Sequence, residues 1–177
     1  MSPKILMNDK EVRQSILKIK QSIIKEKKDL KNLVFIGILT RGVYIAERLI
    51  NEIKNEKKIN IPLGVIDITF YRDDIDSIAK QPLAKETKIN FDLTDKEVIL
   101  VDDVLFTGRS IRAALDEIMD FGRPKRVQLA VLIDRGHREL PIQADYVGKS
   151  IITDYKDKVK VKLKEVDNID SVVLIKE

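Results

Sequence analysis

Val98-Ile99-Leu100-Val101-Asp102-Asp103-Val104-Leu105-Phe106-Thr107-Gly108-Arg109-Ser110 decides how this chain is read. The stretch opens with four aliphatic residues, the pattern of a strand buried on both faces. Two acids then stand at the strand's C-terminal end, where parallel sheets bind ligands. Thr107 to Ser110 turns into a helix. Gly108 permits close backbone approach, and the free N–H groups of a first helical turn can hold a phosphate. Thr107 and Ser110 add hydroxyl donors and Arg109 offers charge. Paired carboxylates just before a phosphate cradle suit a sugar phosphate, with the acids accepting from ribose hydroxyls. A capped helix after a strand with two solvated acids would look similar locally, but motif and predicted context agree on a ligand site. Neither G-x-x-x-x-G-K-[ST] nor G-x-G-x-x-G occurs, so a P-loop and a dinucleotide fingerprint are both excluded.

Outward from this stretch, strands and helices alternate. Asn8 or Asp9 with Glu11 marks a helix start, and Val12, Ile16, Ile19 and Ile23 recur at helical spacing. Gln14, Lys18, Gln21, Lys25 and Lys28 take the opposite face, while Leu17 and Ile24, outside the main stripe, either widen the apolar face or pack on a partner, the broad face being the simpler reading. Leu33 to Leu39 reads as a buried strand, broken by Thr40-Arg41-Gly42, and Val43 to Ile53 as a helix. Further strands are expected at Gly64 to Tyr71, Glu97 to Val101 and Arg126 to Ile133, with a helix from about Gly108 to Phe121. Arg72 to Asn90 is polar and aperiodic, a long loop of the kind that often carries function. In the tail, Val159, Val161 and Leu163 alternate with Lys158, Lys160, Lys162 and Lys164, which predicts an exposed strand with a lysine face, and Ser171 to Ile175 is its candidate partner. This order predicts an α/β fold, a parallel sheet flanked by helices, in one domain spanning 1–177.

Composition narrows the function classes. The chain has 177 residues, 33 Lys and Arg against 29 Asp and Glu, one His and no Cys. Disulfides and cysteine-based metal sites are therefore excluded, and the net charge of +4 does not announce a nucleic-acid binder. The longest apolar run is too short to cross a bilayer, and the N-terminus lacks a signal-peptide pattern. A cytoplasmic protein without membrane contact is the expectation.

The stretch from Val98 to Ser110 resembles the phosphoribosyl-diphosphate (PRPP) signature of the type I phosphoribosyltransferases. Enzymes for 6-oxopurines in that group carry an acid just before Thr-Gly; Phe106 cannot handle a base proton, which weighs against purine salvage. Ile36 to Gly42, Asp67 to Asp74, Ile133 to Ile142 and Ala144 to Lys149 extend the likeness over nearly the whole chain, and together they resemble the PyrR family. That resemblance implies two activities: synthesis of UMP from uracil and PRPP, and binding of pyrimidine-operon leader RNA to promote transcription attenuation under control of UMP or UTP.

The resemblance also implies roles. Thr40, Arg41 and Gly42 would hold pyrophosphate, in a loop with an unusual peptide bond. Arg72, Asp73 and Asp74 would open a flexible loop that is mobile without ligand and closes over PRPP, with a small hood nearby. His137 and Arg138 would line the uracil pocket. Mg²⁺ would ride on PRPP, with Asp102 and Asp103 holding it indirectly. Lys18, Lys25, Lys28, Arg138 and Lys149 are candidate RNA contacts, Lys20 and Lys27 add charge to the first helix, and the tail adds its lysine face to the same basic surface. Solvated lysines on amphipathic elements explain the same pattern without RNA. The first helix departs from the family's Arg, Thr and His pattern with Leu17, Gln21 and Glu26, and Gln143 replaces an expected Arg before Ala144. Binding of leader RNA is therefore expected to be weaker and less selective than in relatives with those arginines. A homodimer or higher assembly is what the family suggests. An active enzyme and an RNA regulator that keeps the pocket as a nucleotide sensor both stay open at this point, and they are compatible.

Overall fold

A computed structural model describes residues 3–69 and 87–177. The readings placed on Arg72, Asp73 and Asp74 lie outside the described residues, as does most of the segment ending at Asn90. Strands β2 (Leu33–Ile38), β3 (Leu63–Ile66), β4 (Glu97–Leu105), β5 (Arg126–Asp134) and β6 (Tyr146–Ser150) form a parallel sheet in the order β3-β2-β4-β5-β6. Helices α1 (Asp9–Glu26) and α2 (Arg41–Lys57) cover one face, and α3 (Arg109–Ile118) covers the other.

The strands read as continuous apolar runs because they serve two cores at once. Phe35, Ile99, Val101 and Leu132 join Ile16, Ile23, Ile45 and Leu49 beneath α1 and α2. Their neighbours Val34, Ile36, Val98, Leu100 and Val131 join Ile111, Ala114 and Ile118 beneath α3. That is the period of two a pleated strand imposes, and each such side chain contributes about 1.5–3 kcal/mol when fully buried.

Helix α1 starts as the sequence requires. Asn8 Oδ1 accepts from Glu11 N at 3.0 Å and Glu11 Oε2 accepts from Asn8 N at 2.8 Å, a reciprocal cap. Gln14, Lys18, Gln21, Lys25 and Lys28 are exposed. Ile24 packs against the core and Leu17 is half-buried, so the apolar face is broad. Lys20 and Lys27, counted above with the charged surface of this helix, are instead buried: Lys20 pairs with Glu56 at 2.8 Å and Lys27 pairs with Glu97. They tie α1 to α2 and to the sheet, because a buried ammonium needs a partner.

A second, antiparallel sheet of order β1-β8-β7 is built from β1 (Lys4–Met7), β7 (Lys158–Lys162) and β8 (Ser171–Ile175). The predicted pairing of the two tail strands is present, in register Lys160↔Val173, but they are joined through the short helix α4 (Lys164–Asp167) rather than a tight turn. Arg48 of α2 fastens this hood to the body. It donates to Glu165 at 2.6 and 2.8 Å and to Asp170 at 2.8 and 2.9 Å. The two acids hold the guanidinium protonated well beyond its ordinary range. Arg48 in turn lowers the Glu165 carboxyl; at Asp170 burial works the other way, and Arg48 together with the Lys164 N–H outweighs it.

Three boundaries differ from the sequence reading. The strand expected at Gly64 to Tyr71 ends at Ile66, because Asp67 turns out of the ladder with Oδ1 accepting from Thr69 N at 2.9 Å. The strand expected to stop at Val101 continues to Leu105, since β5 still pairs with it after β2 has ended. The third helix ends at Ile118 and runs on as a 3₁₀ turn, Met119–Phe121, before Gly122.

Candidate active site

Strand order leaves a crevice between β2 and β4. From β2 the chain crosses through α2 to β3, and from β4 through α3 to β5, on opposite faces of the sheet. The loops after β2 and β4 therefore diverge, and the opening between them is where open α/β sheets hold ligands. A cavity of about 640 Å³ lies there, floored by the end of β4 and its loop and walled by β7. That volume falls among ordinary small-molecule sites.

Asp102 and Asp103 both line this cavity. Asp102 is buried, its Oδ1 accepting from Asp103 N at 2.9 Å; Asp103 is half-buried, its Oδ1 accepting from Val104 N at 2.9 Å. Because β4 keeps its pairing with β5 through Leu105, the two acids stand on a fixed strand rather than a loose turn. Thr107, Gly108 and Ser110 follow around the same wall. Gly108 sits at φ +95°, a backbone few other residues adopt, and it caps α3. Thr107 O accepts from Glu139 N at 2.9 Å, which pins the loop from behind.

Arg109 is placed differently from the rest of the motif. Its Nε donates to Glu139 at 2.9 Å, and it lies outside the cavity lining. Glu139 also accepts from the Tyr155 hydroxyl at 2.6 Å; that bond, then Arg109, lowers its pKa.

Across the crevice, Thr40 and Arg41 begin α2, and the peptide between Leu39 and Thr40 is cis, in the loop where an unusual bond is expected. Arg41 lines the cavity and grips Asp167 of α4 at 2.8 and 3.0 Å from Nη2 and 3.2 Å from Nε. Burial alone would raise the Asp167 carboxyl; Arg41 and the Leu163 N–H outweigh it and hold its pKa below the usual value. Gly42 lets α2 start this close to β4, since a Cβ there would come 2.4 Å from Val101 O.

The remaining wall is aromatic. Phe106 lies 5.3 Å from Tyr155 between ring centroids, and Arg135 stacks on the Phe106 face at 4.0 Å. Arg135 is buried and donates to the carbonyls of Asp157 at 2.7 Å and Asp154 at 2.9 Å, so it fixes the turn that leads into β7. Burial lowers its pKa. Arg135 and Tyr155 line the cavity and were not singled out from sequence; the quoted segment contained Arg135, but its chemistry was assigned to His137 and Arg138. Those two stand one layer behind. The His137 ring meets Phe106 and Tyr155 edge-on at 6.0 and 5.7 Å, and its Nε2–H donates to Thr153 O at 2.8 Å. Arg138 donates to both Asp134 carboxylate oxygens at 2.7 Å and to Phe106 O at 2.8 Å.

Among the candidate RNA contacts, Lys25 is exposed on α1 and Lys28 is exposed just beyond its end. Lys18 Nζ donates to Gly148 O at 3.0 Å, and Lys149 Nζ donates to Leu6 O at 3.3 Å. None of these lysines lines the cavity, and Arg138 is engaged as described. Glu26, one of the departures from the family pattern, is occupied by the Tyr146 hydroxyl at 2.7 Å and by Gln128 at 3.0 Å. Those bonds hold its pKa low, while burial first and then the bond to Glu26 raise that of Tyr146. Among the described residues no helix is long and apolar enough to cross a membrane.

Comparison with known proteins agrees with this geometry. Residues 5–167 match the phosphoribosyl transferase domain family. A hypoxanthine phosphoribosyltransferase structure from Staphylococcus aureus superposes with a TM-score of 0.73 at 19% identity, covering 98% of this chain and 91% of its own; at that identity it speaks for the fold alone. The bifunctional protein PyrR of Deinococcus radiodurans is 51% identical over 96% of this chain and 92% of its own length. That of Clostridioides difficile is 50% identical over 96% of each. With the type I phosphoribosyltransferase fold in place and half the residues shared across nearly the full length, the chain belongs to the PyrR family.

Proposed function

We propose that this protein transfers the phosphoribosyl group of PRPP to uracil, giving UMP and diphosphate, within one domain spanning 1–177, and that it also binds pyrimidine-operon leader RNA under control of uridine nucleotides. The observation that carries the first part is the convergence on one cavity of the loop residues Thr107, Gly108 and Ser110, the acid pair Asp102 and Asp103, and Arg41, with an apolar Phe106 beside them. The 5′-phosphate would sit on the N–H groups of the α3 start, the ribose hydroxyls on the two acids, and the diphosphate toward Thr40, Arg41 and Gly42. Uracil would lie against the Phe106 and Tyr155 rings, a layer that His137 and Arg138 brace from behind.

Substitution occurs at the anomeric carbon. The bond to diphosphate breaks with its electron pair, a bond to the uracil nitrogen forms, and the proton of that nitrogen passes to the departing diphosphate or to solvent. The carboxylates lie where positive charge develops on the ribose, and catalysis is mostly positioning and electrostatics. Asp102 and Asp103 also suit Mg²⁺ delivered with PRPP. Among the described residues no three His, Cys, Asp or Glu side chains form a metal cage, so the acids would hold a hydrated ion that stays on the phosphates. When bound, Mg²⁺ neutralises diphosphate charge.

Uracil, PRPP and Mg²⁺ are expected to yield UMP, with hypoxanthine and guanine turned over far more slowly, because Phe106 offers no acid for a purine proton. Product analysis by chromatography decides it; turnover of a purine with none of uracil overturns the reading.

The RNA half rests on family membership and on the exposed Lys18 and Lys25 of α1 with Lys28 just beyond it. Lysines neutralise phosphates but lack the planar fork of arginine. Leader RNA is therefore expected to bind more tightly with UMP than without, but with less selectivity than in arginine-bearing relatives. A titration against leader and scrambled RNA tests this; equal affinity for both, indifferent to UMP, would leave only nonspecific attraction. A homodimer or higher assembly belongs to the same proposal.

A further inference from the structure

The hood wall of the cavity carries more positive charge than the site described so far uses. We propose that Lys160 and Lys162 of β7 bind the diphosphate of PRPP from the hood side, opposite Arg41. The inference rests on the phosphoribosyltransferase reading above and adds two residues to it.

Strand β7 alternates. Val161 is buried and Val159 packs on the same core, so Lys158, Lys160 and Lys162 take the other face; every residue of the strand, 158–162, lines the cavity. Lys158 is held by Glu177. Lys160 is exposed and has no ion-pair or hydrogen-bond partner among the described residues. Lys162 is half-buried and close enough to Asp167 to help keep that carboxylate ionised. Asp167 is the acid that grips Arg41. Arg41, Lys160 and Lys162 thus bring three cations into the wall of one cavity, and Arg41 is already shared with Asp167. A diphosphate carries more negative charge than half an arginine neutralises. Same-face residues on a strand stand about 7 Å apart, and flexible four-carbon stems let both ammonium groups reach one polyanion. Lysines that merely protect an edge strand from pairing would occupy the same positions, but they would show no preference for one ligand over another.

Ligand preference is therefore the readout. The full chain, its K160Q/K162Q variant and its K160R/K162R variant are titrated with PRPP, with magnesium pyrophosphate and with UMP. In the glutamine variant, affinity for PRPP and for pyrophosphate is expected to fall about tenfold, the effect of one charge-assisted contact. UMP, which has only the 5′-phosphate, is expected to bind as before, which also shows that the variant folds. The arginine variant is expected to keep near wild-type affinity for all three. Unchanged pyrophosphate binding in the glutamine variant, or an equal loss for UMP, overturns the assignment. If the wild-type chain binds neither PRPP nor pyrophosphate, the underlying enzyme reading falls with it; if it binds both and the variant matches it, only the lysine assignment falls.

Discussion

Asp103→Asn is expected to lower kcat/KM for PRPP by about a hundredfold while leaving the melting temperature nearly unchanged. The two effects separate because the side chain does two things. Its Oδ1 accepts from Val104 N at 2.9 Å, a bond that an asparagine oxygen can keep. Its charge faces the cavity, where it would accept from ribose hydroxyls and oppose positive charge developing at the anomeric carbon. Hydrogen bonds to a charged group contribute about 1.5–3 kcal/mol, or roughly ten- to a hundredfold. The developing charge adds to the upper end of that range. Asp102→Asn is expected to act in the same direction with a larger stability cost, since Asp102 is buried. Steady-state kinetics beside a thermal melt check both; wild-type rates in the two variants would mean that the ribose lies elsewhere.

Gly42→Ala is expected to damage both fold and activity. The new methyl would come 2.4 Å from Val101 O, a backbone atom. That strand cannot retreat, because Val101 is paired with Gly37 of β2 on one side and Ala130 of β5 on the other. The first turn of α2 must move instead, and Arg41 moves with it. Overpacking of this kind costs about 1–3 kcal/mol, and a displacement of about 1 Å at a positioning group costs on the order of a hundredfold in rate. The melting temperature is expected to fall by several degrees, and KM for PRPP to rise more than KM for uracil. Wild-type melting and kinetics would contradict the close approach of α2 to β4.

Some of this chemistry was legible in the chain because it is local. Asp102, Asp103, Thr107, Gly108 and Ser110 are neighbours in sequence, and one strand followed by one helix start suffices to place them along one wall. Arg109 shows the limit of that reasoning. Motif position suggested a phosphate contact, whereas its partner Glu139 is thirty residues away and draws the guanidinium off the cavity. His137 and Arg138 show it again: the segment was recognised, but the side chain in the cavity wall is Arg135, because the turn at Gly136 and His137, both at positive φ, directs its neighbours differently.

The sequence by itself determined the α/β class, the parallel sheet with two covered faces and the phosphate-loop stretch, since hydrophobic period and turn chemistry act over a few residues. The strand order, and with it the crevice between β2 and β4, was decided by tertiary structure, because pairing of distant strands is invisible to local pattern. So were the burial of Lys20 and Lys27, whose partners Glu56 and Glu97 lie 36 and 70 residues away. The lysine alternation of β7 was visible from the start, but which surroundings it faces was not. A period of two says only that alternate side chains share a face; docking of the hood, through Arg48 to Asp170 and Arg41 to Asp167, brought this strand into the cavity wall.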